Sequence, residues 1–181
     1  MASDFSSIGG AVRSVLRFLG VLRQPPVRTP SPDRGRPENG PRLSAGVTGT
    51  YPGDFTGTAA LRYSPSPDGR PDPGEIVWTW VPFEEDHSRG KDRPVLLVGS
   101  HGKYLLGLML TSKDHDRHPH ARLGYVDIGT GNWDRQGRAS EAKLNRVLQI
   151  HPADIRREGA VLDRKKFRLV AGELRRLRGW K

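Results

Sequence analysis

The chain of 181 residues contains no cysteine. That absence excludes disulfide bonds, thiolate-held zinc and a cysteine nucleophile together, and it fits the cytoplasm, where the protein is expected to reside. Aromatic residues make up 7% and hydrophobic residues 34%, too little apolar material for the whole length to share one core. No run is long and apolar enough to span a bilayer. Acidic residues are the minority charge. Twenty Asp and Glu stand against 30 Lys and Arg, a formal net charge of +10, which favours a polyanionic partner such as nucleic acid.

What is present is unevenly distributed. Phe5, Ile8, Val12, Val15, Leu16, Leu19 and Leu22 recur at helical spacing, predicting a short amphipathic helix over about 4–23 that Pro25 and Pro26 stop. Arg13 and Arg17 interrupt the continuous apolar core that an export signal needs and no small-residue cleavage site follows, so it is not expected to be one. Three arginines make a weak membrane anchor, and docking or fraying is expected over membrane binding. Eleven of the 15 prolines fall between Pro25 and Pro73. Residues 25–46 are expected to be a disordered linker, because so polar a stretch cannot offset the entropy of ordering it. "YPGDFTGTAALRY" carries Tyr51, Phe55 and Tyr63, and residues 47–63 are expected to pack as an arm. The N-terminal extension therefore covers 1–72 and the domain proper 73–181.

Regular structure is predicted from Pro73 onward. "GEIVWTWVPF" is rich in β-branched and aromatic residues and reads as a strand. "RPVLLVGS" and "YLLGLMLTS" are apolar runs too short for helices, "RLGYVDIG" is a fourth strand, and Ser140–Ile150 mixes propensities but reads as a strand ending over Val147–Ile150, before His151 and Pro152. In the tail, Asp163 is an N-cap before Phe167, Val170, Leu174 and Leu177 at spacings of three and four. Together these give a mainly β fold, a small antiparallel barrel with a C-terminal α-helix.

The order of motifs "PGEIVW", "EEDHSRGKD", "RPVLLVG" and a strand ending in "LTS" resembles the PemK/MazF toxins of type II toxin–antitoxin systems, over roughly residues 73–178. The resemblance implies an SH3-like barrel of the PemK/MazF/CcdB kind, a homodimer, a cognate antitoxin, and sequence-selective cleavage of single-stranded RNA without a metal or other cofactor. It places the family's catalytic arginine on Arg93 and its catalytic hydroxyl on Thr111, with Ser112 beside it. The residue types suit that chemistry. Attack by a ribose 2′-hydroxyl builds negative charge on a phosphorane, and a guanidinium answers it with two aligned donors and a charge that does not titrate away. A neighbouring hydroxyl adds a further donor. The carboxylates Glu84, Glu85 and Asp86 are expected at the mouth of this groove, where they would repel phosphate.

Further constellations bear on RNA. His115 follows Thr111 by four residues and titrates near neutrality, which suits proton transfer to or from bound RNA. The surrounding "DHDRHPH" has metal-ligand residue types, but a solvated loop is expected there and no metal. "DIGTGNWDRQGR" lacks the spacing of a phosphate-binding loop. Its Trp133, Arg135 and Arg138 suit stacking and backbone contact with unpaired RNA, while Trp133 folded back over the barrel end is the equal alternative. From Arg156 onward ten basic residues meet three acidic ones, which a solvated helix face explains nearly as well as a phosphate track. The rival to a nuclease is a non-catalytic barrel that binds nucleic acid or a protein such as a topoisomerase, recruited by the N-terminal arm. A membrane-associated regulator using the helix over 4–23 is a third reading.

Overall fold

Residues 49–66, 68–113 and 124–181 are described by the computed structural model. The expected helix over 4–23, the 25–46 linker and the segment holding His115 lie outside them. Strands β1 (Glu75–Pro82), β2 (Gly90–His101) and β3 (Tyr104–Thr111) form an antiparallel meander. Its apolar residues bury both faces. Ile76, Leu96, Leu106 and Leu108 join one core, while Val77, Val95 and Leu97 join a second on the other side. Two-sided burial is why "VLLV" shows no polar alternation, and each such side chain contributes about 1.5–3 kcal/mol by leaving water.

The remaining strands are β4 (Tyr125–Gly129), β5 (Ser140–Lys143), β6 (Leu148–Ile150) and β7 (Ile155–Val161). Their order is β4-β5-β3-β2-β1-β7, with β6 also beside β3. Strand β3 thus has two partners along its outer edge, β6 over Leu105–Gly107 and β5 over Leu110–Thr111. The sheet curls around the larger core. Helix α1 (Arg164–Arg178) closes it, with Phe167, Val170, Ala171 and Leu174 buried. Asp163 accepts from the backbone N–H groups of Lys165 (2.9 Å) and Lys166 (3.3 Å), and Gly179 ends the helix at φ 64°. This is the mainly β, antiparallel architecture with a C-terminal helix that the sequence predicts. The strand expected at Val147–Ile150 is β6, and two further strands carry no clear signal in the sequence: β5 over "SEAK", and β7 over "IRREGAV", which among the described residues pairs with β1 alone.

Residues 51–63 lie against this sheet. The backbone N–H of Phe55 donates to Val147 (2.8 Å), that of Leu61 to Lys181 (2.7 Å) and that of Arg62 to Val98 (3.1 Å). Phe55 is buried against Trp180 and His101. Gly99 permits this seating, since a Cβ there would stand 2.7 Å from the Ala60 carbonyl oxygen. Among the described residues no helix is long and apolar enough to cross a membrane.

Candidate functional site

The β2–β3 ladder runs from the hairpin, His101 opposite Tyr104, back to Val95 opposite Met109, and stops there. Pro94 has no N–H to continue it. Beyond that rung the two strands take different partners. Arg93 pairs with Thr79 on β1, whereas Leu110 and Thr111 pair with Ala142 and Glu141 on β5. The sheet therefore splits, and the split is a cleft of about 290 Å³. Asp92, Arg93 and Pro94 form one wall and Leu110, Thr111, Ser112 and Lys113 the other, with Trp78, Asp134, Arg138 and Ser140 completing it.

Arg93 is half-buried and has no ion-pair partner among the described residues. The Thr111 hydroxyl oxygen accepts from the backbone N–H of Lys113 at 3.1 Å, which leaves its O–H able to donate. Each carboxylate in the wall has a cation of its own. Asp92 accepts from Arg156 at 2.7 Å, and Asp134 from Arg138 at 2.7 Å. The Arg138 guanidinium, helped by the Gln136 N–H, holds the Asp134 carboxyl below the usual carboxylate range. Arg93 and Lys113 are left as the cleft's uncompensated cations among the described residues, so the site is suited to an anion.

A chain of indoles stiffens the wall. Trp78 Nε1 donates to the Trp133 carbonyl (3.1 Å), and Trp133 Nε1 donates to Ser140 Oγ (3.0 Å). Trp133 is only 4% exposed. Its expected role as an exposed stacking platform is thereby corrected: the indole turns inward because its N–H finds Ser140 and its ring joins the larger core. Arg135 is exposed and does not line the cleft, Arg138 does, and His115 lies outside the described residues. None of Glu84, Glu85 and Asp86 lines the cleft. Glu84 pairs with Lys143, and Asp86 is held below its ordinary range by the hydroxyl and N–H of Ser88. Among the described residues no group of three or more metal-ligating side chains is placed to hold an ion. A smaller cavity of about 80 Å³ between the arm and the sheet, beside Tyr51, Trp80 and Tyr104, has too little room for a nucleotide.

Sequence reasoning does not find Trp78, Asp134 or Ser140 as cleft residues. Their placement depends on strand register and on where the ladder stops. The available signal is Pro94, a proline in the interior of a strand.

Residues 72–177 match the family described as PemK-like, MazF-like toxin of type II toxin–antitoxin system. Among solved structures, the MazE–MazF complex (Form-II) from Deinococcus radiodurans is similar at TM-score 0.46 and 19% identity, covering 62% of this chain and 98% of that one. MazF (Form-I) of the same organism is similar at TM-score 0.45 and 19% identity, covering 62% and 99%. The Mycobacterium tuberculosis toxin MazF-mt6 is similar at TM-score 0.42 and 14% identity, covering 59% and 98%. Among curated proteins no sequence matches.

Proposed function

The chain belongs to the PemK-like, MazF-like toxins of type II toxin–antitoxin systems, and from that premise we propose that it is an endoribonuclease cutting single-stranded RNA, sequence-selectively and without a metal, in the cytoplasm. The observation that carries this reading is the split between β2 and β3, which opens one cleft onto an uncompensated arginine and a hydroxyl. In the proposed reaction the 2′-oxygen of a ribose bonds to the adjacent phosphorus and the P–O5′ bond breaks. The 2′-hydroxyl loses its proton and O5′ takes one up, leaving a cyclic 2′,3′-phosphate and a free 5′-hydroxyl. Arg93 neutralises the additional charge on the non-bridging oxygens, and Thr111 donates to one of them. Ser112, exposed just beyond the end of the same strand, adds a second hydroxyl. Arg138 and Lys113 hold flanking phosphates, because both are exposed at the rim.

A small antitoxin is the proposed protein partner, in keeping with the MazE–MazF complexes among the similar structures, and the working unit is proposed to be a homodimer. Residues 51–63 are tied to the sheet by backbone hydrogen bonds, which removes this part of the arm as a free recruiting segment. The test is incubation of the purified chain with labelled single-stranded RNA in EDTA. Multiple turnovers with cyclic phosphate ends are expected. Stoichiometric binding without cutting would transfer the fold to the rival, a non-catalytic nucleic-acid binder.

A further inference from the structure

We propose that Tyr51, Asp54 and Arg146 form a brace that holds the far end of the β1–β2 hairpin, and with it Arg93, in the position that cleavage requires. The proposal rests on the ribonuclease reading above and adds positioning residues to it. It starts from where the neighbouring strands stop. On β1 the ladder to β7 ends at Thr79, opposite Ile155, and on β2 the ladder to β3 ends at Val95. Past those points the two strands have only each other among the described residues, from Trp80 opposite Asp92 to Pro82 opposite Gly90. Two strands on their own are marginal in water, and Arg93 stands at the base of this ribbon, opposite Thr79.

What steadies the ribbon comes from outside the ladder. Val81 and Pro82 are buried, Val81 in the second core. The Arg146 guanidinium, buried between β5 and β6, donates to the Pro82 carbonyl at 2.6 Å and to Asp54 at 2.8 Å. Asp54 also accepts from the Tyr51 hydroxyl at 2.6 Å, and the Tyr51 ring makes a T-shaped contact with His87, centroids 5.0 Å apart. His87 lies in the loop that joins β1 to β2. The arm therefore touches the ribbon at its tip and, through Arg146, at its last rung. Lys143 of β5 pairs with Glu84 of the same loop. A buried guanidinium is a costly route to stability, and a well-packed apolar side chain often matches or exceeds it. What an apolar chain cannot supply is a directed bond that ties one carbonyl to one place. The arm is itself held by the backbone bonds of Phe55, Leu61 and Arg62, so the brace is anchored on the domain.

The test uses the double variant Asp54→Ala/Arg146→Met of the full chain, which removes the brace without stranding a charge. Amide hydrogen exchange is followed without RNA, and single-turnover cleavage of a labelled RNA is measured in EDTA. Amides of residues 80–92 are expected to exchange at least about tenfold faster, while those of residues 105–110 on β3 keep wild-type protection. The cleavage rate should fall by about 10–100-fold, the scale of a small misplacement, with RNA affinity within about twofold of the wild type. Unchanged exchange in the ribbon, or faster exchange spread evenly over the sheet, overturns the brace. Faster exchange in the ribbon with wild-type cutting, or with a loss confined to affinity, overturns the link to Arg93. Should the double variant not fold, His87→Ala decides, because it is an exposed change that removes the ring contact with Tyr51. Faster exchange over residues 83–89 with slower cleavage supports the brace, and wild-type behaviour in either overturns it. A wild type that cuts no RNA refutes the nuclease reading, and the exchange pattern then decides by itself whether the ribbon is braced.

Discussion

Arg93 stands two residues before Val95 on β2, and Thr111 two residues after Met109 on β3, where Val95 and Met109 form the last rung before the strands part. The register that builds the hairpin therefore delivers both residues to the mouth of the same split. From there each is anchored by a different neighbour, Arg93 by Thr79 and Thr111 by Glu141. Strands braced by different neighbours thus bring a cation and a hydroxyl to one cleft, the arrangement that the proposed charge stabilisation requires.

The uncompensated cations of the cleft predict a salt signature. Binding to an uncuttable single-stranded RNA should weaken linearly in log–log terms with added salt, and Lys113→Ala should reduce that slope by about 0.7 for one lost phosphate contact. Fluorescence anisotropy across a salt series checks this. An unchanged slope would remove Lys113 from the phosphate path.

The arm pairs with a buried cation between β5 and β6. Arg146 is 5% exposed, and it donates to Asp54 at 2.8 Å and to the Pro82 carbonyl at 2.6 Å. Its Nη2 has no hydrogen-bond partner among the described residues. Asp54→Ala should cost about 3 kcal/mol, the low end for stranding a buried charge, because Asp54 itself retains contact with water. The double variant Asp54→Ala/Arg146→Met should recover most of that loss, since a flexible apolar chain fills the space without a charge to strand. Chemical denaturation of the three proteins measures it, and additive losses would contradict the account.

Tyr51 supplies a pH dependence. Burial, and then its hydrogen bond to Asp54 (2.6 Å), push the phenol well above its ordinary value of 10.0. A group raised on folding contributes stability that is complete below the unfolded value and is lost as pH rises through the interval up to the folded one. The wild type should therefore lose thermal stability more steeply above about pH 10 than Tyr51→Phe. Parallel curves for the two proteins from pH 8 to 11 would show that the phenol is not so placed.

Much of the architecture is legible in the chain. β-Branched and aliphatic runs announce β1 to β3, and Asp163 and the repeat from Phe167 to Leu174 announce the helix. Strand β7 escapes because an edge strand tolerates "RRE" on the way to Ala160, so its composition imitates a loop. Strand β6 is read from Val147 to Ile150, whereas β5 escapes because "SEAK" has the composition of a helix or loop and becomes a strand only by pairing with β3 and β4. In the candidate site, Arg93, Thr111 and Ser112 are reached through motif order, and the structure brings them to one cleft. Trp133 shows the limit: a tryptophan beside arginines reads equally as platform or core until Ser140 is seen to take its N–H. Trp78, Asp134 and Ser140 need the register.

The account rests most heavily on Arg93, and single-turnover cleavage of a labelled RNA in EDTA tests it most directly. Arg93→Ala should keep the wild-type circular dichroism and a folding stability within about 1 kcal/mol of the wild type, because a half-buried side chain with no ion pair among the described residues contributes little to folding. Its cleavage rate should fall by about 10²–10³, the cost of removing one preorganised donor. Arg93→Lys should not restore it, since an ammonium lacks the planar pair of donors. A folded Arg93→Ala that cuts within a few-fold of the wild type would contradict the central claim.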